Sequence, residues 1–129
     1  MVENLAARIE ASETHSYKTI FTSQTNHHNT LFGGAALAIM DDVAFISATR
    51  FCRQKFVTVS TDDVRFFKPI PNSTIIETVA KVAHVGRTSI KIFVEIFVEE
   101  MYSSKREKAI EGYFTMVAVD ENGKSTPIV

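Results

Sequence analysis

Asp41 lies in a stretch rich in Ala, Leu, Ile, Met and Phe that contains no Pro and predicts an α-helix over residues 35–54. At about 100° per residue, its side chain shares an apolar stripe with those of Met40 and Ala44. A carboxylate in such a stripe loses hydration at a cost that proteins rarely accept without a reason, so Asp41 is a candidate functional residue. The alternative is a buried acid that is satisfied by neighbouring hydroxyls or by a group of a second subunit. Asp42 points about 100° away, and we expect it to be an ordinary solvated charge.

The residues directly before this helix could bind a developing negative charge. Phe32 is followed by Gly33 and Gly34, and two glycines allow close backbone approach and leave N–H groups free at the positive end of the helix dipole. Such an end suits an anion, or a carbonyl oxygen that acquires negative charge. By itself, a pair of glycines is also ordinary turn chemistry.

A polar loop at residues 23–30 precedes these glycines and contains Asn26, His27 and His28. Two adjacent histidines indicate a metal site or acid–base chemistry only where further ligands exist. The other two histidines, His15 and His84, lie on predicted strands and provide no ligand spacing. The sequence therefore predicts no metal site.

A second polar turn consists of Gly86, Arg87, Thr88 and Ser89. Its guanidinium has the forked geometry that suits phosphate, and its two hydroxyls can donate as well. The alternative is a hairpin turn with a solvated arginine. The single cysteine, Cys52, lies on the helix stripe, and we interpret it as a packing residue.

The elements that must position these residues are one helix and five strands. Strands are predicted at residues 14–22, 56–67, 74–85, 88–101 and 108–119, with the helix after the first of them. This order predicts an α+β layer fold in which one sheet wraps one helix. The helix is apolar on both sides, which predicts that it is buried nearly all round. Phe93 and Phe97 lie among charged residues on one face of the fourth strand, as expected when two subunits share that face.

The composition is that of a globular protein and excludes several classes. The chain has 129 residues, 45% of them hydrophobic and 22% charged, so we expect one domain over residues 1–129 rather than a disordered segment. The net charge is −1 and no basic stripe is visible, which argues against a nucleic-acid partner. The apolar runs are too short to span a membrane, and the N-terminus lacks the pattern of a signal peptide. We therefore expect a cytoplasmic protein without a membrane partner.

Together, these motifs resemble the signature of hotdog-fold acyl-CoA thioesterases, and the nearest type is the YciA-like group, related to the brain acyl-CoA hydrolase. The resemblance rests on TNHHNTLFGG at residues 25–34, MDDVA at 40–44, VTVS at 57–60, FFKPI at 66–70, VGRTS at 85–89 and FTMVAVD at 114–120. It covers nearly the whole chain after the first dozen residues. The family usually has Gly where this chain has Asn29. Asn tolerates a positive φ better than other non-glycine residues, so we expect the loop to keep its shape.

The resemblance implies a hotdog fold, with a long central helix wrapped by a five-stranded antiparallel sheet, in a homodimer that is often assembled as a trimer of dimers. It implies that Asn26 and Asp41 act together as a catalytic pair contributed by different subunits, with Asp41 as the general base or the nucleophile. The substrate-binding residues that it implies are Phe32, Gly33 and Gly34 for the thioester carbonyl, and Gly86, Arg87, Thr88 and Ser89 for the phosphates and pantetheine of coenzyme A. It implies no metal and no organic cofactor beyond the coenzyme A of the substrate.

The predicted function is therefore the hydrolysis of an acyl-CoA thioester to a free acid and CoA. The main alternative is a non-catalytic acyl-CoA-binding hotdog module that serves as a ligand sensor. Such a module could keep the 86–89 turn and lose the catalytic pair, so the presence of both Asn26 and Asp41 favours the enzyme. A hydratase or dehydratase that uses His28 with an acid is a third reading of the same fold, although such enzymes have a different motif around the helix.

Overall fold

A computed structural model of the chain describes residues 4–21 and 25–129. Within them lie two helices and five strands, in the order α1 (Leu5–Ser12), β1 (Thr14–Ile20), α2 (Gly33–Phe51), β2 (Lys55–Phe66), β3 (Thr74–Val85), β4 (Ser89–Glu100) and β5 (Arg106–Val119). The strands form one antiparallel sheet in the order β1-β3-β4-β5-β2, and α2 packs across it. The predicted α+β architecture, a long helix wrapped by a five-stranded antiparallel sheet, is confirmed.

The predicted first strand ends at residue 22 and the predicted loop begins at residue 23, and residues 22–24 lie outside the described part of the chain. Neither of the two described helices has the length and apolar character needed to cross a membrane.

The core lies between α2 and the sheet, and β4 shows why these residues form it. Ile90, Ile92, Val94 and Ile96 are fully buried at alternate positions, because successive side chains of a strand point to opposite faces. Phe93 lies between them on the outer face and is half-buried. The alternation predicted for this strand is confirmed, whereas the sharing of its outer face by a second subunit stays a prediction.

The helix α2 begins and ends close to the predicted bounds. Met40, Ala44 and Ala48 are fully buried on its face toward the sheet. The prediction of burial nearly all round is wrong for the single chain, because Phe45 and Ile46 are 43% and 37% exposed. The sheet covers only one side of the helix and leaves an apolar side open.

The N-terminal helix α1 is absent from the sequence-based prediction and packs against α2. Its Arg8 donates from Nη2 to the carbonyl oxygen of Phe51 at the end of α2, at 2.8 Å. In return, Arg50 of α2 donates to the carbonyl oxygens of Ala11 and Glu13 at the end of α1, each at 3.0 Å. Helix ends leave unpaired carbonyls that cations satisfy well, so each helix caps the other. A helix of eight residues is marginal alone, and α1 depends on such tertiary contacts.

The strand β2 lies at one edge of the sheet, next to β5. Its other edge has no partner strand within residues 4–21 and 25–129, so backbone N–H and C=O groups along it are open to pairing. Val57, Val59 and Phe66 on this strand are exposed. A long edge strand with exposed apolar side chains is typical of a surface that another chain covers.

A bulge in β2 brings Val64 over Gly112 of β5. The register between the two strands shifts between Asp62 and Arg65, and Asp63 within the shift has a left-handed φ of +49°. A Cβ at Gly112 would lie 3.0 Å from Cγ2 of Val64. The valine therefore occupies the space that a side chain at position 112 would need.

Candidate active site

Asp41 lies in the middle of α2 and faces β2. Its Oδ1 accepts a hydrogen bond of 2.7 Å from the hydroxyl of Thr58. The predicted position in the centre of a buried stripe is wrong, because the carboxylate is half-buried at the border of the buried face, next to the fully buried Met40. No donor among the described residues contacts Oδ2, so this second carboxylate oxygen can accept a proton.

Thr58 is a candidate site residue that sequence reasoning missed. It pairs on β2 with Met116 of β5, whose side chain is fully buried, so Thr58 shares the face of the sheet that contacts α2. It stands in the motif VTVS at residues 57–60, but a threonine there is also an ordinary strand former. Its contact with Asp41 arises from the way α2 crosses β2, which the sequence does not display.

The start of α2 has backbone donors without acceptors. Phe32 is the N-cap residue, its side chain makes no capping hydrogen bond, and its carbonyl oxygen accepts from the N–H of Ala36 at 3.0 Å. In the described part of the chain, the N–H groups of Gly33, Gly34 and Ala35 have no acceptor, as expected for the first turn of a helix. The Phe32 ring packs over Gly34, where a Cβ would lie 2.6 Å from the ring. An oxygen that acquires negative charge fits this position.

Asn26 fixes its own loop through its side-chain oxygen. Oδ1 accepts from the N–H of His28 at 2.9 Å, from the N–H of Thr30 at 3.3 Å and from the Thr30 hydroxyl at 3.1 Å. Because backbone N–H groups can only donate, this atom is the carbonyl oxygen of the amide, and Nδ2 is left to donate elsewhere. The side chain of Asn26 is therefore available as a hydrogen-bond donor.

The loop around Asn26 is held against the turn that connects β2 and β3. Asn29 has a left-handed φ of +63°, a conformation that Asn tolerates better than other non-glycine residues. Its carbonyl oxygen accepts from the N–H of Asn72 at 2.9 Å, and the N–H of Leu31 donates to the carbonyl oxygen of Ile70 at 2.7 Å. These bonds fix the backbone on both sides of Asn29.

The adjacent histidines of the same loop lie at the surface. The rings of His27 and His28 contact each other at a tilt of 44°, with 3.8 Å between their centroids, and both residues are exposed. No group of three side chains suited to hold a metal ion occurs among residues 4–21 and 25–129. Within these residues, neither His27 nor His28 forms a hydrogen bond with Asp41.

The 86–89 turn joins β3 to β4 and is held by backbone hydrogen bonds. The N–H of Gly86 donates to the carbonyl oxygen of Ser89 at 2.8 Å, and the carbonyl oxygen of Thr88 accepts from the N–H of Ala118 at 2.9 Å. Arg87 is exposed, and its guanidinium forms no salt bridge within the residues that the structure describes. An unpaired cation beside two hydroxyls suits a phosphate, and this role of the turn stays a prediction.

The predicted site residues fall into separate groups within one chain. Among the described residues no hydrogen bond joins Asn26, in the loop before α2, to Asp41 inside the helix. The rise of an α-helix places about 12 Å between Gly33 and Asp41 along the helix axis. A carbonyl oxygen held at the helix start is therefore too far from Asp41 of the same chain for a single water to link them. Asn26, the start of α2 and Asp41 of one chain therefore do not come together in a single site.

Comparison with known proteins defines the class. Residues 28–105 match the family model of the thioesterase superfamily. The chain therefore belongs to the thioesterase superfamily.

Two relatives show the part of the superfamily to which it is similar. The chain is 42% identical over 109 residues to an uncharacterized acyl-CoA thioester hydrolase of Bacillus subtilis, YkhA, and the match covers 84% of this chain and 63% of that protein. It is 32% identical over 109 residues to the acyl-CoA thioester hydrolase YciA of Salmonella typhimurium, with 82% of each chain covered. The chain thus spans less than two thirds of the length of the Bacillus relative.

Two solved structures have the same fold. An acyl-CoA hydrolase from Staphylococcus aureus, in complex with butyryl coenzyme A, coenzyme A and coenzyme A disulfide, matches with a TM-score of 0.88 and 35% identity over 93% of this chain and 73% of that chain. A hexameric broad specificity acyl-coenzyme A thioesterase matches with a TM-score of 0.81 and 33% identity over 88% of this chain and 79% of that chain. The predicted hotdog fold and the resemblance to acyl-CoA thioesterases are confirmed.

Proposed function

We propose that this protein hydrolyses acyl-CoA thioesters to a free acid and CoA. The observation that carries the proposal is the Asp41 carboxylate, held by Thr58 on a helix whose start has free backbone donors. The relatives named acyl-CoA thioester hydrolases, at 32% and 42% identity, support it. The Staphylococcus aureus hydrolase, solved with butyryl coenzyme A, supports the same substrate class.

The proposed active site is shared by two subunits of a homodimer. Asn26 and the start of α2 come from one subunit, and Asp41 and Thr58 come from the other. Support comes from the separation of about 12 Å between the helix start and Asp41 in one chain. Phe45 and Ile46, exposed on the side of α2 that the sheet leaves open, provide an apolar surface for the second subunit. Pairing of two β2 edges would satisfy their open backbone groups, and the hexameric relative supports a trimer of such dimers.

The proposed reaction is general-base hydrolysis. The Asp41 carboxylate takes a proton from a water, and the oxygen of that water attacks the thioester carbon. The carbonyl oxygen becomes an oxyanion, which the N–H of Gly34 or a neighbour stabilises at the positive end of the α2 dipole. The C–S bond then breaks, CoA leaves as the thiolate, and the proton on Asp41 passes to it. Direct attack by the carboxylate, which forms an anhydride, is the second route.

The remaining predicted residues orient the substrate in this proposal. The Asn26 amide donates to the water or to the carbonyl oxygen, and Phe32 contacts the substrate beside the thioester. The 86–89 turn binds the phosphates and pantetheine of coenzyme A, with Arg87 supplying the charge. The proposed reaction uses no metal and no organic cofactor.

The test is thiol release from acyl-CoAs, followed with DTNB, over chain lengths from acetyl to palmitoyl. We expect the wild-type protein to release CoA, and Asp41→Asn to lose about 100- to 10,000-fold in kcat, the range that a positioned general base contributes. Asp42→Asn is the matched control, because this neighbouring carboxylate is exposed and should be dispensable. Near wild-type turnover in Asp41→Asn contradicts the proposed base, and binding of acyl-CoA without release supports the non-catalytic module instead.

A further inference from the structure

Residues 125–129, here called the strap, run from the end of β5 past the 86–89 turn. The N–H of Thr126 donates to the carbonyl oxygen of Ala118 at 2.8 Å. The N–H of Ile128 donates to the carbonyl oxygen of Arg87, also at 2.8 Å. The strap has no part in the reaction proposed above, yet it contacts the backbone of the turn where a phosphate is expected.

The hydrogen bond to Arg87 fixes the orientation of one peptide plane. In a trans peptide, a carbonyl and the N–H of the next residue point in opposite directions, and no cis peptide occurs in the described part of the chain. Because Ile128 holds the carbonyl of Arg87 toward the strap, the N–H of Thr88 points away from it. That N–H has no acceptor among the described residues. A free backbone N–H beside an arginine side chain is a donor set that suits an anion.

The strap is held in turn by side chains of the helical layer. The Gln54 amide makes two hydrogen bonds of 3.1 Å to the strap, donating to the carbonyl oxygen of Pro127 and accepting from the N–H of Val129, and its Oε1 also accepts from the Cys52 thiol. Arg8 of α1 donates to the carbonyl oxygen of Val129 at 2.9 Å. The side chain of Ile128 packs against the core between these contacts. The protein itself therefore sets the position of the strap before any ligand binds.

We propose that the strap positions the 86–89 turn for the phosphates of the substrate, with Ile128 as a positioning residue that acts through its backbone N–H. The inference rests on the proposed function in one respect, that the turn binds the phosphate-bearing part of coenzyme A. Loss of the strap contact then weakens the binding of ligands that carry these phosphates and leaves the reaction at the thioester unchanged.

The test compares two substitutions at position 128. Ile128→Pro removes the N–H, and Ile128→Val is the matched control because it keeps the N–H at nearly the same volume as proline. Each variant is assayed with butyryl-CoA and with the N-acetylcysteamine thioester of butyrate, which has the thioester but no phosphate. For Ile128→Pro we expect KM for butyryl-CoA to rise about tenfold, the effect of one weakened hydrogen bond to a charged group, with kcat little changed. The value of kcat/KM for the phosphate-free thioester should not change, and Ile128→Val should behave like the wild type.

Gln54→Leu releases the strap by a second route, because it removes the two amide hydrogen bonds to the strap and leaves position 128 intact. We expect a smaller rise in KM with the same selectivity. Equal losses with the two thioesters, or no loss with butyryl-CoA, overturn the inference.

Failure of the proposed function is distinguishable from failure of this inference. If the wild-type protein hydrolyses neither thioester, the proposed function fails. Calorimetric binding of CoA and of pantetheine, which lacks the phosphates, then tests the strap alone. A larger loss of affinity for CoA than for pantetheine in Ile128→Pro supports the inference, and an equal loss for both ligands or an unchanged affinity for CoA overturns it.

Discussion

The hydroxyl of Thr58 on β2 donates a 2.7 Å hydrogen bond to Oδ1 of Asp41 in the middle of α2. The bond engages one carboxylate oxygen and fixes the plane of the group, so that Oδ2 is the oxygen left to accept a proton. A side chain on the edge strand thus orients the proposed base on the helix. A second subunit that pairs with β2 would lie next to both residues.

Replacement of Thr58 by valine should lower kcat with little change in KM. Valine keeps the shape of threonine but leaves the Asp41 carboxylate free to rotate, and misplacement of a reacting group costs about 10- to 100-fold in rate. Thr58→Ser keeps a hydroxyl and should retain most of the activity. The measurement is steady-state hydrolysis of butyryl-CoA by the two variants. A full loss of activity in Thr58→Ser, in a folded protein, would contradict the orienting role.

Substitutions at Asn26 separate its effect on the loop from its effect on the reaction. Asn26→Asp keeps an oxygen that can accept from His28 and Thr30, but it removes the amide donor. Asn26→Ala removes both. We expect each variant to lose about 100-fold or more in kcat, the cost of one donor to a developing oxyanion, and only Asn26→Ala to lower Tm. Retained turnover in Asn26→Asp would show that donation by Asn26 is not needed.

The stability of the fold should depend on the protonation of His15. Its Nδ1 lies 2.7 Å from a carboxylate oxygen of Glu77 and its Nε2 lies 2.7 Å from one of Glu13, so both nitrogens donate only when the ring is protonated. The hydrogen bonds to Glu77 and then to Glu13 hold the pKa of His15 above 6.5. Because the pKa of His15 is raised in the folded state, protonation of His15 contributes fully to the stability of the fold at pH values below 6.5. This contribution is lost as pH rises through the pKa of the folded state.

His15→Gln tests this dependence. The difference in the free energy of unfolding between wild type and His15→Gln should be largest at about pH 6 and should shrink toward about pH 9. The matched control is His84→Gln, since His84 is exposed on β3 and forms no salt bridge among the described residues. Chemical denaturation at a series of pH values measures both differences, and equal pH profiles for the two variants would contradict the prediction.

Gly112→Ala should destabilise the fold by about 1–3 kcal/mol, the usual cost of overpacking. The added Cβ would lie 3.0 Å from Cγ2 of Val64 in the β2 bulge. Val64→Ala removes that methyl group and should recover part of the loss when the two substitutions are combined. The measurement is the free energy of unfolding of the two single variants and the double variant, and strictly additive losses would show that the two positions do not compete for space.

The regular elements could be predicted from the sequence because their signals are local. Alternation in β4 and the apolar composition of α2 each follow from a backbone repeat that the residues display in order. The helix α1 could not be predicted, because eight residues carry little intrinsic helical stability and its ends depend on Arg8 and Arg50. The open side of α2 could not be predicted for a related reason, since the sequence does not distinguish burial within one chain from burial between two.

The candidate site likewise contains residues that could be predicted from the sequence and residues that could not. Asp41 and the glycines before α2 stand out as a charge in an apolar stripe and as backbone donors at a helix start. Thr58 carries no such signal, because its importance comes only from the hydroxyl that reaches Asp41 across two elements. The availability of Nδ2 of Asn26 also required coordinates, since it follows from three hydrogen bonds that engage the side-chain oxygen.

Arg8 and Arg50 join the ends of α1 and α2 by hydrogen bonds, which predicts that the two ends behave as one opening unit in hydrogen exchange. Separation of the two helices exposes the carbonyls at both ends at once, so we expect the two ends to open together. Terminal segments of most domains exchange their amide protons rapidly. In this protein the last turn of α1 should instead exchange as slowly as the last turn of the central helix.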